Sequence, residues 1–131
     1  MKRDRIINPD IISEIAALGH TQSIVIGDCG LPIPKGVRVI DVSVVAGIPS
    51  FLSVLDAIKE ELVIEKAMIA TEMQEKNAKL YKKIINRFDE KDLCSSSHDN
   101  FKKATESANC IIRTGENTSY ANIILFGGVN F

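Results

Sequence analysis

Two histidines, three cysteines and a few well-placed carboxylates carry most of the chemistry open to this 131-residue chain. His20 and His98 both fall at the boundaries of expected elements, and neither lies on an apolar stripe. An imidazole titrates near neutral pH, so either ring can give or take a proton under cellular conditions. Histidine is also common at helix ends, where it only caps or decorates the surface. Asp28 has a similar double reading. At the end of a strand its carboxylate can accept two hydroxyls of one ligand, or it can cap the next turn through an Asx bond. Residues 113–122, RTGENTSYAN, are dense in hydrogen-bonding groups. Tyr120 offers a flat face and a hydroxyl, and Asn122 offers donor and acceptor together. Carbohydrate recognition needs that mixture, although a plain polar loop has it too.

Other chemistries lack their residues. The cysteines Cys29, Cys94 and Cys110 are odd in number and widely spaced. That pattern fits reduced thiols in a cytoplasmic protein better than a disulfide framework. No group of Cys, His and carboxylates has metal-ligand spacing, so no metal is expected. Gly127-Gly128 stands outside any phosphate-loop pattern and reads as a tight turn. Asn117-Thr118-Ser119 matches a glycosylation site only by chance, because no apolar export segment follows MKRDRIINPD. A net charge of −1 lacks the basic footprint of a nucleic-acid binder. No stretch is long and apolar enough to span a membrane. With 45% hydrophobic and 25% charged residues, the chain has the composition of one globular domain over residues 1–131.

The elements that must position these groups can be read in turn. Asn8 is a candidate N-cap, Pro9 sits at the first helical position, and Ile11, Ile12, Ile15 and Leu18 form one stripe. Gly19 supplies the stop, which leaves His20 on a short connection. Residues 23–27, SIVIG, read as a fully buried strand ending at Asp28. The prolines and glycines of residues 30–36 fix a loop. Residues 37–42 form a second strand. Ser50 caps a helix carrying Phe51, Leu52, Val54, Leu55 and Ile58. Residues 62–71 form a strand interrupted by the charges of Glu65 and Lys66. Asn77 caps a helix with Leu80, Ile84 and Phe88 in register. A polar loop with a short edge strand covers 89–97, a short helix covers 99–107, and strands cover 110–113 and 122–126. Alternating strands and helices predict a three-layer α/β/α fold around a mostly parallel sheet. In such sheets ligands bind off the carboxyl ends of strands. Asp28 stands there, whereas a residue just before a strand belongs to the other edge. His20 and Asp28 therefore meet only if the connection folds over or if two chains share one site.

Several motifs, taken together, resemble the D-ribose pyranase family. They are Leu18-Gly19-His20-Thr21, Gly27-Asp28-Cys29-Gly30-Leu31-Pro32-Ile33-Pro34, Gly47-Ile48-Pro49-Ser50-Phe51, Ile112-Arg113-Thr114-Gly115-Glu116 and Tyr120-Ala121-Asn122-Ile123-Ile124-Leu125. The related fucose mutarotases share the broader pattern. The resemblance runs from the first helix to Phe131. It implies an intramolecular isomerase that converts β-D-ribopyranose to β-D-ribofuranose for phosphorylation in ribose catabolism, with no cofactor. It further implies a homodecamer of two stacked pentamers with sites between neighbouring subunits. The family's proton donor falls on His20, and its sugar contacts on Asp28, His98, Tyr120 and Asn122, with Lys102 a further candidate. Cys29 stands where the family often has alanine, and Ser119 where proline is frequent. The alternatives are a mutarotase acting on fucose or another aldose, and a non-catalytic sugar-binding or transport-accessory protein, for which His20 is unnecessary.

Overall fold

All 131 residues are described by a computed structural model. Six strands form one sheet: β1 Ser23–Gly27, β2 Arg38–Asp41, β3 Ile64–Ala70, β4 Leu93–Ser96, β5 Cys110–Arg113 and β6 Ile123–Gly127. Their spatial order is β2-β5-β1-β6-β3-β4. β1 pairs parallel with β5, β5 with β2, and β3 with β4. β6 alone runs backwards, antiparallel to both β1 and β3. The mostly parallel sheet is thus as expected, with one reversed strand near its middle. The residues between β5 and β6 form no helix. A parallel return needs a crossover of a dozen or more residues, usually helical, so β6 starts from the edge where β5 ends.

The helices are α1 Pro9–Ala17, α2 Phe51–Lys59, α3 Glu72–Lys76, α4 Ala78–Ile85 and α5 His98–Thr105. α1, α2 and α4 cover one face of the sheet, where Ile11, Phe51, Leu55, Ile58, Leu80 and Ile84 pack with Ile24, Ile26, Ile112 and Ile123. The opposite face packs Val25, Ile111 and Ile124 against Phe101 of α5. Successive strand residues point to opposite faces, so burial on both sides explains why β1 is an unbroken apolar run.

Local chemistry sets the helix starts. Asn8 Oδ1 accepts the N–H groups of Asp10 and Ile11, with Pro9 at the first helical position. Ser50 Oγ accepts from Ser53 N–H, and Ser97 Oγ from Asn100 N–H. The latter cap starts α5 at His98, one residue earlier than expected. Two details differ from expectation. α1 does end just before Gly19, but not through a left-handed glycine; Leu18 is already extended, Gly19 N–H donates to Gln22 Oε1 at 2.8 Å, and the left-handed residue is Thr21 at φ 66°. Asn77 stands at the N-cap position of α4, as expected, but its side chain makes no cap bond, and its Nδ2 donates to Thr118 Oγ1. The five-residue α3 was not foreseen, since EMQEK buries only Met73 and is too short to show a period.

The three cysteines are all free. Cys110 is buried within β5, and burial pushes its thiol up to about 12.

Phe101 is the largest fully buried side chain on its face of the sheet. Phe101→Ala should cost about 3–5 kcal/mol, read as a lowered urea midpoint. A loss below about 1 kcal/mol would mean that α5 is not anchored through this ring.

Candidate active site at the two edges of the sheet

The carboxyl ends of all five parallel strands, together with the start of β6, meet at one edge. Asp28 follows β1 there, and Asn122 immediately precedes β6. The two side chains are locked reciprocally. Asp28 N–H donates to Asn122 Oδ1 at 2.8 Å, and Asn122 Nδ2 donates to Asp28 Oδ2 at 2.9 Å. Asn122 is buried, while Asp28 stays partly open. The other carboxylate oxygen, Oδ1, accepts Gly30 N–H at 2.9 Å, which closes the Asx turn that the sequence allowed. Turn capping and ligand contact are therefore compatible roles of one carboxylate. The pair needs Gly27, because a Cβ there would stand 2.8 Å from Leu31 and 3.2 Å from Asn122 Oδ1.

His98 and Tyr120 complete the cluster. Their rings meet edge to face with centroids 5.0 Å apart, and His98 also lies parallel to Phe101 at 6.3 Å. His98 Nδ1 is buried and makes no hydrogen bond within the chain. The backbone N–H of His98 donates to both oxygens of Glu72 at 3.1 and 2.9 Å. This contact at the start of α5 holds the Glu72 carboxyl below its usual range. Tyr120 has φ 55°, a left-handed conformation that tyrosine adopts only when its surroundings impose it.

Those surroundings are the rest of loop 114–121. Thr114 Oγ1 donates to Gly27 O, Glu116 N–H donates to Thr114 Oγ1, and Cys29 N–H donates to Glu116 O. Asn77 Nδ2 donates to Thr118 Oγ1 and Ser119 O, so α4 is tied to the loop through the residue just before it. Gly115 lies against the 45–49 turn so closely that a Cβ would come within 2.2 Å of Ile48 O. Glu72, Asn77 and Glu116 hold the site in shape and were missed as contributors. Glu116 lay within a recognised motif, but nothing in the residue string says which neighbour its carboxylate reaches. Lys102 pairs with Asp99 on the exposed side of α5 at 3.2 Å and lines the groove with Pro32 and Pro34, beside the cluster rather than in it.

His20 lies elsewhere. It sits at the amino edge of the sheet, half exposed, with Nε2 2.8 Å from Glu65 Oε2 at the start of β3. The next residue, Thr21, donates its N–H to Gly127 O. β1 separates His20 from Asp28 at roughly 3.3 Å per residue, so the two lie on the order of 20 Å apart within one chain. The connection does not fold over. The chain carries a hydrogen-bonding cluster at one edge and an imidazole–carboxylate pair at the other.

Comparison with known proteins bears on this arrangement. Residues 1–130 match the model of the RbsD / FucU transport protein family. The chain belongs to that family. A D-ribose pyranase of Bacillus cytotoxicus is 49% identical over 131 residues, the whole of both chains. The structure of Bacillus subtilis RbsD complexed with D-ribose superposes with a TM-score of 0.96 at 43% identity, again over the whole of both chains. A fucose mutarotase from Streptococcus pneumoniae in complex with L-fucose gives 0.78 at 26% identity over 95% of each chain. As a member of the RbsD / FucU family, the chain shares its fold most fully with the ribose-complexed protein of these two structures.

The Asp28–Asn122 lock is directly testable. Asn122→Asp keeps the acceptor for Asp28 N–H but sets a second carboxylate against the first. Like charges at that distance push one carboxyl pKa up in the folded state. A raised folded pKa contributes stability below it that is lost as pH rises. The variant should therefore lose about 1–3 kcal/mol against the parent at pH 8 and recover part of it near pH 5, by urea melts at both values. An equal deficit at both values would show that the two side chains do not interact as described.

Proposed function

We propose that this chain is a D-ribose pyranase, interconverting β-D-ribopyranose and β-D-ribofuranose by acid–base opening and closure of the sugar ring. The observation that carries this reading is the near-complete structural match to a ribose-complexed relative at 43% identity over the full chain. Asp28, His98, Tyr120 and Asn122 hold the sugar at the carboxyl edge, and His20 moves the proton. The fucose mutarotase match is weaker on both identity and superposition, which favours ribose.

The chemistry is balanced without a cofactor. His20 takes the proton of the anomeric hydroxyl as the bond from C1 to the ring oxygen breaks and C1 becomes a carbonyl. The same proton passes to the ring oxygen, which leaves as the C5 hydroxyl. The C4 hydroxyl then attacks C1, and the two transfers run in reverse. A single acid–base group contributes about 10²–10⁴-fold. The reaction already proceeds in water, so that acceleration is sufficient. The binding cluster adds orientation of the open-chain form.

Because His20 and Asp28 lie at opposite edges, the working site is shared between subunits of a homo-oligomer, a decamer of two stacked pentamers. The surface is suited to association. β2 is an edge strand, and Val39, Val44, Val45 and Ile48 beside it are 42–75% exposed. The reaction belongs in the cytoplasm, where three unpaired thiols stay reduced. No helix is long and apolar enough to cross a membrane.

His20→Ala should slow exchange between the pyranose and furanose signals of D-ribose in NMR by about 10²–10⁴-fold, while the assembly keeps its size. Wild-type exchange in that variant would refute the catalytic assignment; ribose that binds the wild-type protein with no exchange faster than in buffer would favour a sugar-binding protein.

Mixing subunits tests the shared site. His20→Ala and Asp28→Asn chains, each inactive alone, should regain about a quarter of wild-type activity when co-assembled at equal ratio, because only sites between different chains can be complete. No recovery in a verified mixed assembly would put both residues in one chain's site.

A further inference from the structure

We infer that Glu65 is the positioning residue for His20, holding its neutral ring as the Nε2–H tautomer and leaving Nδ1 to exchange the proton with the sugar. The tautomer rests on geometry, and its catalytic use rests on the ribose reading above.

An ionised carboxylate can only accept hydrogen bonds. With Glu65 Oε2 2.8 Å from His20 Nε2, the ring nitrogen must be the donor. A neutral imidazole carries one N–H, so the partner of one nitrogen decides the state of the other. Nδ1 is thereby left with a free lone pair, which is what abstraction of the anomeric proton needs. When Nδ1 takes that proton, the same carboxylate stabilises the imidazolium until the proton moves to the ring oxygen.

Several features converge on this contact. In the β3–β6 ladder Ile64 faces Gly127 and Lys66 faces Phe126, so Glu65 is the extra residue of a β-bulge. Bulges re-aim a side chain out of the regular alternation. Lys66 turns towards Phe126, with Nζ 5.6 Å from the ring centroid. Gly127 and Gly128 make room on the opposing strand. A Cβ on Gly127 would stand 3.0 Å from Gly19 O, and one on Gly128 3.2 Å from the Glu65 Cβ. The left-handed Thr21 donates its N–H to Gly127 O, which fixes the segment carrying His20. The Gly-Gly pair near the end of the chain thus has a specific task, to let the His20 segment and Glu65 close on each other. The two side chains are 53% and 42% exposed. Ion pairs this open contribute little to stability, so the contact itself is not accounted for by folding.

The test combines nitrogen NMR with kinetics on the assembled protein. With only two histidines in the chain, the His20 signals are assigned by their loss in His20→Ala. At pH 8 wild-type His20 should show Nε2 protonated and Nδ1 bare, and Glu65→Gln should show a mixture, since an amide both donates and accepts. On ribose, Glu65→Gln should lower kcat about tenfold, part of the full acid–base contribution, with KM within about twofold. Glu65→Asp should recover part of that loss. A wild-type ring protonated on Nδ1, or wild-type kcat in Glu65→Gln, would overturn the inference. If the nitrogen signature holds and wild-type protein does not accelerate ribose exchange, the tautomer assignment stands and the ribose reading fails.

Discussion

Strand β6 runs against every other strand in the sheet, and both halves of the candidate site depend on that reversal. Its first residue follows Asn122, which reaches Asp28 at the carboxyl edge of β1. Its last residue, Gly127, lies under the His20 segment at the amino edge. A strand of five residues thereby serves two sites on the order of 20 Å apart. Ile123, Ile124 and Leu125 between them are fully buried and pair on both sides. The two ends cannot drift relative to each other without opening the centre of the sheet. Rigidity at both sites is therefore inherited from the core.

The carboxyl-edge cluster shows how a polar site is held in shape by hydrogen bonds from its own side chains. Its loop is tied by side chains that bond to backbone groups, among them Thr114 and Asn77, and Glu72 does the same for the start of α5. Each removes a degree of freedom from a segment that would otherwise be a mobile surface loop. The strained Tyr120 is the visible consequence: its ring is set against His98 at the expense of an unfavourable backbone angle. Under the proposed reading, a sugar would meet oriented acceptors and a flat face there and need not organise them on binding, which favours affinity for a small, heavily hydrated ligand.

Strands β1, β5 and β6 were legible because they are buried on both faces and read as unbroken apolar runs; β5 matches its expected limits to the residue. Helix α1 was legible through Asn8 and Pro9, whose chemistry is local. What stayed hidden was non-local. Asn77 was legible as the residue that precedes α4, but only the fold shows that its side chain reaches Thr118. Glu65 looked like a flaw in a strand. It is the bulged residue, and a bulge depends on the partner strand's register, which the sequence does not contain. The expected sugar-contact residues were named from motif resemblance. Chain direction separates His20 from Asp28, because residues before and after a strand lie on opposite edges, but it would have grouped Asn122 with His20; only the reversal of β6 brings Asn122 to Asp28.

That separation also bears on the chemistry. Within one chain, neither half-site can do more than its own part: one edge can bind a polyol, and the other can move a proton with nothing held against it. Joining them requires that the amino edge of one subunit face the carboxyl edge of another, an arrangement that a closed ring of subunits provides. Under the proposed reading, catalysis would appear with assembly and be absent from the isolated chain. The modest acceleration asked of the enzyme makes such a division workable. Exchange of one proton tolerates the small variations of a subunit interface better than a covalent mechanism would, provided the imidazole arrives with the correct nitrogen bare. The Glu65 carboxylate, carried on the same chain as His20, can set that state before any partner docks.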